Sequence, residues 1–249
     1  MESHDFREKY RPRRFEDVVG NRNLVTILKN IIKSDNPPIG VMFYGPPGSG
    51  KTTLAQLLAK GILCEDFKTD ICGKCRSCLS FDFKGSDSCS VHDCTGIDKK
   101  AFDDILASFK SLSMSRINRH IHIFDEVHRL KEPFWDRLLR PLEIHSNRVF
   151  IFCLIDITRV DEAFRQRVLE LRTQPPEIEE LIPWLRRICR LEKIKIKEDE
   201  ALRELIESTD RLPRKCLSLL QTIYYMGKPL TVNLIRELNY GESDENESD

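Results

Sequence analysis

The sequence predicts an α/β protein with a parallel sheet covered by helices and followed by a small all-α domain. Up to residue 173, short apolar segments typical of strands alternate with amphipathic helical patterns. A glycine-rich turn joins the first of these strands to a helix. Beyond Pro175-Pro176 the apolar residues recur only at helical spacing. Buried strands connected by helices favour a parallel sheet with helices on both faces.

The individual elements follow from apolar periodicity. Strands are predicted over 39–44, 90–92, 121–124 and 149–155, and helices over 24–32, 51–59, 102–112 and 134–142. The second domain is predicted to contain helices over 178–191, 199–209, 213–226 and 231–238. We therefore expect a nucleotide-binding domain at 1–173, a helical domain at 174–240 and a disordered acidic tail at 241–249.

Composition narrows the class of protein. Hydrophobic residues make up 40% and charged residues 32% of the 249 positions, as in ordinary globular proteins. No apolar run approaches the ~20 residues that span a bilayer, and residues 1–20 lack a signal-peptide pattern. We expect a cytoplasmic protein without membrane partners. Lys+Arg and Asp+Glu both total 40, so DNA binding would need a local basic patch or a ring of subunits.

The glycine-rich turn fits the phosphate-binding pattern G-x4-G-K-[ST] and lies between a strand and a helix. Its glycines let backbone N–H groups point at phosphates, and the following helix adds a favourable dipole. Lys51 is predicted to meet the β/γ-phosphates and Thr52 to ligate Mg²⁺. The predicted ATP-binding residues of this turn are Gly45, Pro46, Pro47, Gly48, Ser49, Gly50, Lys51, Thr52 and Thr53.

Two acids end the strand predicted at 121–124, about 70 residues after the glycine-rich turn, which is called the P-loop from here on. Asp125 is predicted to hold the hydrated Mg²⁺, and Glu126 to orient or deprotonate the attacking water. Strands often end in surface acids, so the pair indicates catalysis only in combination with the P-loop.

Four of the nine cysteines form a cluster in the sequence at Cys64, Cys72, Cys75 and Cys78. Four thiolates at this spacing can satisfy tetrahedral Zn²⁺, and the alternative is four free or redox thiols. Cys89 and Cys94 are predicted at strand edges rather than as ligands. The remaining three fall on apolar faces and are predicted to be core residues, namely Cys153, Cys189 and Cys216.

Several of these segments resemble the gamma/tau subunits of bacterial DNA polymerase III clamp loaders, which are AAA+ P-loop ATPases. The segment KYRPRRFEDVVG at 9–20, the GSGKTT at 48–53 and the DEVH at 125–128 carry this resemblance, which covers nearly all of 6–238. It implies ATP, Mg²⁺ and Zn²⁺ as cofactors, with a zinc module inserted at about 62–95. It also places Tyr10, Arg11, Val18 and Val19 near the adenine.

The resemblance assigns roles to two arginines. Arg167, in Gln166-Arg167-Val168, occupies the place of the arginine finger that reaches the ATP of an adjacent subunit. Arg214, in LPRKCLSLL at 212–220, matches the sensor-2 arginine of the lid, which is the helical domain predicted at 174–240. Spacing alone would favour a solvated surface arginine at both positions.

The chain also departs from this family. Leu154 and Ile155 stand where the family has sensor-1 threonines, and neither side chain can hydrogen-bond to a phosphate or a water. Asp156 or Thr158 could substitute, or hydrolysis could be slow. The sequence stops after the lid without the helical collar domain, so we expect either a fragment or a shortened relative.

Two functions remain open. The first is an ATP-driven clamp-loader subunit that places a sliding clamp on primed DNA together with other subunits or further copies of itself. Its candidate DNA contacts are Lys99, Lys100, Arg116 and Arg119, although a solvated helix face explains them at least as well. The second is an ATP-binding switch or assembly protein, derived from a clamp loader, with weak hydrolysis.

Overall fold

The computed structural model describes residues 4–82, 85–109, 119–130, 132–143 and 148–243, with only the backbone described at 132–134, 159 and 239–243. The chain divides into two compact units. The sheet unit comprises Pro12–Val18 and Arg22–Thr173. The helical unit comprises the chain from Gln174 onward, the N-terminal segment up to Arg11, and Val19–Asn21.

The helices alternate with strands in the first unit and follow one another in the second. They are α1 (Phe6–Lys9), α2 (Arg22–Lys33), α3 (Lys51–Leu63), α4 (Arg76–Ser80), α5 (Lys99–Ser108), α6 (Glu132–Glu143), α7 (Glu162–Arg165), α8 (Ile178–Leu191), α9 (Glu200–Ser208), α10 (Pro213–Met226) and α11 (Val232–Ser243). None of the helices in the described part of the chain has the length and apolar content that crossing a bilayer requires.

The sheet has five parallel strands in the order β2-β3-β4-β1-β5. These are β1 (Gly40–Tyr44), β2 (Cys89–Asp93), β3 (His120–Asp125), β4 (Arg148–Leu154) and β5 (Leu169–Arg172). The predicted α/β class and parallel sheet are confirmed. The sequence did not reveal β5, because this edge strand buries only Leu171 and carries the charged Glu170 and Arg172.

Alternation along the strands separates two apolar layers. Val41 and Phe43 join Ile123, Ile151 and the α2 and α3 side chains on one face. The other face is largely aromatic and contains Phe124, Phe150, Phe152, Trp135 and Phe164. Both faces of the sheet are thus covered, which explains the continuous apolar runs of the central strands.

The helical unit has its own apolar core, formed by residues of α8, α9, α10 and α11. Phe6 of α1 is part of this core, and its backbone N–H donates to Gln221 Oε1 at 3.0 Å. The prediction that all of 1–173 belongs to the first domain is therefore wrong for the N-terminal segment. Tertiary packing of one phenylalanine decides this, and position in the chain does not reveal it.

The predicted tail needs a similar correction. Helix α11 continues to Ser243, so residues 241–243 are helical rather than disordered. Acidic residues are compatible with a helix, and low apolar content therefore does not fix where a helix ends. Residues 244–249 lie outside the described part of the chain.

Candidate nucleotide site and cysteine cluster

The loop between β1 and α3 requires glycine at several positions. Gly45, Gly48 and Gly50 have φ values of 145°, 79° and 96°, which residues other than glycine rarely adopt. A Cβ on Gly45 would lie 2.4 Å from the Thr173 carbonyl oxygen at the end of β5. Helix α3 begins at Lys51, directly after this loop. Its first backbone N–H groups therefore face the loop and form a site suited to an anion.

The side chain of Lys51, the first residue of α3, reaches back to the backbone of this loop. Its Nζ donates hydrogen bonds to the carbonyl oxygens of Gly45 and Pro46, both at 2.8 Å, and the residue is 7% exposed. Burial lowers the pKa of the Lys51 ammonium, and the nearby charges of Glu126 and Asp125 oppose this effect. A cation held beside a helix N-terminus favours phosphate binding.

Thr52 and Asp125 meet although they are 73 residues apart. Thr52 Oγ1 donates to the Asp125 carboxylate, at 3.1 Å from Oδ1 and 2.9 Å from Oδ2. Burial raises the pKa of Asp125, while the bond from Thr52 lowers it. A hydroxyl and a carboxylate are hard oxygen ligands, so this pair fits Mg²⁺. A cation there would also compensate the buried charge.

Glu126 has an unusual backbone conformation, with φ of 55° in the left-handed region. It precedes a short 3-10 turn, Val127–Arg129, that brings His128 back towards it. His128 Nε2 lies 3.3 Å from Glu126 Oε2, and the His128 side chain is only 9% exposed. The DEVH segment identified in the sequence includes His128, but no role was predicted for it, because its contact with Glu126 depends on the turn.

The four predicted zinc ligands come together. The Sγ atoms of Cys64, Cys72, Cys75 and Cys78 all lie within 4.8 Å of one another, and none forms a disulfide. Zn–S bonds of about 2.3 Å in a tetrahedron give sulfur separations of about 3.8 Å, so the cluster fits Zn²⁺. Hydrogen bonds, chiefly from the Lys74 backbone, lower the pKa of Cys72 to about 6. These bonds favour the thiolate form of Cys72, whereas burial raises the pKa of Cys64 and of Cys78.

Asp70 connects the cysteine cluster to the N-terminal segment of the sheet unit. Its carboxylate accepts hydrogen bonds from the backbone N–H groups of Phe15 at 3.0 Å, Glu16 at 2.9 Å and Ile71 at 2.7 Å. Lys29 Nζ lies 3.6 Å from Asp70 Oδ2. No sequence pattern marks this residue, which lies between the first and second cysteines of the cluster.

Thr173 was also missed by the sequence analysis. Its hydroxyl lies 2.6 Å from Ser49 Oγ and 3.2 Å from the Tyr44 carbonyl oxygen. It thereby links the P-loop to the end of β5. Because β5 itself was not predicted, nothing in the sequence placed Thr173 beside the loop.

The remaining predicted residues are divided between the units. Val18 packs against the sheet core, whereas Val19 and Tyr10 pack against the helical core. Tyr10 donates a hydrogen bond to Glu192, and Arg11 lies 3.4 Å from Glu8. Arg214 is exposed at the start of α10, in the helical unit. The P-loop, Asp125, Glu126 and Arg167 all belong to the sheet unit.

Arg167 and the sensor-1 positions lie at the surface and at the strand end, respectively. Arg167 Nη2 forms an ion pair with Glu143 Oε1 at 2.9 Å, and both side chains are partly exposed. Leu154 is 1% exposed, and the Ile155 carbonyl oxygen accepts the Gly45 N–H at 3.3 Å. The Thr158 hydroxyl donates to Asp156 at 2.7 Å. Of the DNA candidates, Lys99 and Lys100 are exposed on α5, Arg119 precedes β3, and Arg116 lies outside the described residues.

Comparison with known proteins gives a consistent family. The model of the family "DNA polymerase III, delta subunit" matches residues 20–177. The gamma/tau subunit of DNA polymerase III from Mycoplasma pneumoniae is 30% identical over 91% of this chain and 33% of its own length. Replication factor C small subunit 2 from Pyrobaculum islandicum is 29% identical over 92% of this chain and 66% of its own length. The chain thus spans about a third of that gamma/tau relative.

Among solved structures, the RuvB Holliday junction branch migration motor of Thermotoga maritima covers 92% of this chain and 71% of its own length. Its TM-score is 0.67 at 19% sequence identity, which shows a shared AAA+ α/β fold. The match to the delta-subunit family extends over more than half of the sequence. The chain therefore belongs to the clamp-loader family of AAA+ ATPases, to which DNA polymerase III subunits belong.

Proposed function

We propose that this protein binds and hydrolyses ATP as one subunit of a clamp loader that helps to open a sliding clamp and place it on primed DNA. Its partners would be other clamp-loader subunits or further copies of itself, the clamp and the DNA. We also propose a cytoplasmic location, which agrees with nine cysteines that are all unpaired.

One observation carries the ATPase proposal. The Thr52 hydroxyl, at the start of the helix after the P-loop, lies within hydrogen-bonding distance of the Asp125 carboxylate at the end of β3. Lys51 is held in the same loop by two carbonyl oxygens. The proposal is supported by the meeting of a glycine-rich loop, the Lys51 ammonium and the oxygen atoms of Thr52 and Asp125 at one end of the sheet.

The residues divide the work of phosphoryl transfer, in which positioning and charge stabilisation dominate. Mg²⁺, when bound, would neutralise charge on the β- and γ-phosphates. Thr52 and Asp125 would hold it, and Lys51 would exchange its loop carbonyls for phosphate oxygens. Glu126 would orient a water molecule and accept its proton. Arg167 of an adjacent subunit would add positive charge at the γ-phosphate.

Two substitutions separate binding from turnover. Lys51→Ala should weaken ATP binding at least tenfold, because it deletes the charge that meets the phosphates. Glu126→Gln should leave binding within about twofold and reduce hydrolysis by two or more orders of magnitude, in the range typical of a lost general base. Titration with a fluorescent ATP analogue and a phosphate-release assay measure the two quantities. Equal loss of binding in both variants would refute these roles.

A second function is favoured by the strand end beside the P-loop. Leu154 is buried, and Ile155 contributes only its backbone carbonyl to Gly45. No hydroxyl is available at these two positions to hold the attacking water. An ATP-binding switch or assembly protein with weak hydrolysis would fit this arrangement. Steady-state ATPase measured with and without a clamp and primed DNA discriminates between the two, because only a clamp loader should be stimulated.

A further inference from the structure

A dense run of positive charge ends α8 and continues into the segment that follows it. Residues 186–197 contain six basic residues and one acid, whereas the whole chain has 40 of each sign. The five basic residues that are exposed are here called the basic ridge: Arg187, Arg190, Lys193, Lys195 and Lys197.

The backbone of the ridge is fixed by hydrogen bonds. At the end of α8, the N–H of Lys193 donates to the Arg190 carbonyl at 3.3 Å, and that of Ile194 donates to the Cys189 carbonyl at 2.8 Å. Further along, the Lys195 carbonyl accepts the Leu230 N–H at 2.8 Å, and the Lys197 N–H donates to the Leu230 carbonyl at 3.1 Å. The ridge is therefore an ordered surface and not a loose loop.

The extended part of the ridge presents its lysines on one side. Ile194 and Ile196 pack against the core of the helical unit. Because neighbouring side chains in extended backbone alternate, Lys195 and Lys197 point the opposite way, about 6.8 Å apart. Both lysines are exposed. The segment thus exposes two neighbouring lysines on one side and packs two isoleucines against the core on the other.

The acids near the ridge are already engaged. Glu192 is the one acid in 186–197, and its side chain is 9% exposed because it is occupied by Lys9 Nζ at 2.7 Å and by the Tyr10 hydroxyl. Where acids resume, Asp199 pairs with Arg186 at 3.0 Å and Glu198 accepts the Val232 N–H at 3.3 Å. Within the described residues, none of the four basic residues from Arg190 to Lys197 forms an ion pair.

Lys193 occupies a position where the fold favours a different residue. Its φ is 56°, and the two hydrogen bonds after α8 are those of a helix end that usually places glycine there. A cation does suit the C-terminal dipole of a helix, but Arg190 already supplies one in the last turn. The backbone conformation therefore does not explain why this residue is a lysine. A function of its charge does explain it.

We propose that the basic ridge binds the sugar-phosphate backbone of a nucleic acid. Ordered, exposed and unpaired cations are the recognised means by which proteins hold phosphates without reading sequence. This inference deepens the proposed clamp-loader function, on which it rests, by adding a DNA-contacting surface on the helical unit. It is separate from the candidate contacts on α5.

The test measures binding of the full chain, with ATP present, to a fluorescein-labelled primed DNA at 50, 100 and 200 mM KCl. Lys195→Glu with Lys197→Glu should weaken binding at 50 mM by tenfold or more. It should also make the dependence of log K on log[salt] shallower by about 2, one for each lost phosphate contact. The matched control is Lys33→Glu with Lys68→Glu, which changes the net charge equally at exposed positions of the sheet unit.

Lys193→Gly removes a ridge charge without disturbing the fold, since glycine adopts the left-handed conformation of this position without strain. A loss of DNA binding in this variant is therefore not due to misfolding. The substitution should lower DNA affinity while leaving the unfolding temperature equal or higher. Unchanged affinity and salt dependence in both ridge variants, relative to the control pair, would overturn the proposal. Competition by polyglutamate as strong as that by unlabelled DNA, at equal charge concentration, would overturn it in favour of an acidic protein partner.

The clamp-loader proposal is tested separately. DNA binding by the double variant Lys99→Glu with Lys100→Glu measures the contribution of the α5 face. Stimulation of the ATPase by clamp and DNA is measured on the wild-type protein, without any ridge variant. Loss of DNA binding only in the α5 variant would overturn the ridge and leave the proposed function standing. Absence of any stimulation of the wild-type protein would count against the function itself.

Discussion

At the scale of single residues, Asp70 shows how one buried carboxylate can organise a segment distant in sequence. It accepts the N–H groups of Phe15 and Glu16, which are more than 50 positions earlier. A carboxylate removed from water needs such donors to offset its desolvation. Among the described residues, Asp70 is the side chain that accepts both of these N–H groups.

Replacing Asp70 by Asn should therefore destabilise the sheet unit by about 1.5–3 kcal/mol, the range for hydrogen bonds to charged groups. The amide keeps the shape but turns one acceptor into a donor that faces an N–H. Urea unfolding followed by fluorescence measures the change. Asp66→Asn, at an exposed carboxylate nearby, is the control and should have almost no effect. Equal stability of the two variants would contradict the role of Asp70.

At the scale of elements, the cysteine cluster is a compact module between α3 and β2. We expect metal analysis of the purified protein to find about one Zn²⁺ per chain, in a closed structural site. Cys75→Ser should release the metal and increase hydrogen exchange at the Phe15 and Glu16 amides, since Asp70 belongs to the same module. ATP binding should persist. A protein without zinc and with four reactive thiols in its native state would rule the site out.

A second polar cluster contains a stacked pair of histidines, His92 on the edge strand β2 and His122 on the neighbouring strand β3. His92 Nε2 lies 3.2 Å from His122 Nδ1, and Arg148 Nη1 lies 3.2 Å from His122 Nε2. The His122 ring stacks on Phe150 at 5.5 Å between centroids. Burial, assisted by neighbouring charges, lowers the pKa of His92 to about 4 and strongly lowers that of His122.

Stability should accordingly fall as pH drops below about 6.5, the ordinary histidine pKa. Below this pH the histidines of the unfolded chain bind protons, whereas the buried rings of the folded protein stay neutral. The free energy of unfolding therefore keeps falling until the pH reaches the lower pKa of the folded state. Between pH 7.5 and 5 the fall amounts to about 2 kcal/mol for each histidine. Urea unfolding across this range measures it. His122→Phe should flatten the slope, whereas the exposed His4→Gln should not. An identical slope for His122→Phe and the wild type would contradict this account.

At the scale of the whole molecule, the ATPase proposal requires more than one chain. Arg167 is exposed and is paired with Glu143 on its own surface. An exposed ion pair contributes little to stability. Arg167 could therefore leave Glu143 and bind the phosphate of an ATP held by a neighbouring subunit. The isolated chain should then bind ATP but hydrolyse it slowly.

Arg167→Ala should lower hydrolysis and spare nucleotide binding. Fingers supplied in trans are worth up to ~10³–10⁵ in rate in other ATPases and GTPases, and we expect at least tenfold here. Mixing Arg167→Ala with Lys51→Ala should restore part of the activity, because a mixed interface joins one intact loop to one intact finger. Turnover per chain should rise with protein or partner concentration. Dilution-independent turnover by a proven monomer, unaffected by Arg167→Ala, would exclude the mechanism.

Several features were determined by the sequence itself because they depend on short, local patterns. Alternating strands and helices predicted the parallel sheet, and the P-loop was recognisable because glycines, lysine and threonine must occur at fixed spacing. The cysteine cluster was equally visible, since its thiols lie within 15 residues of one another. Local periodicity reaches no further than one element or one turn.

The tertiary structure decided what depends on contacts between distant segments. It recruited Phe6 into the helical core, paired Thr173 with Ser49, and turned the Asp70 carboxylate towards Phe15. Strand β5 escaped prediction because an edge strand buries one residue and so lacks an apolar pattern. In each case the stabilising contact is between residues far apart in the chain, and a side chain carries no local mark of the partner that folding will bring to it.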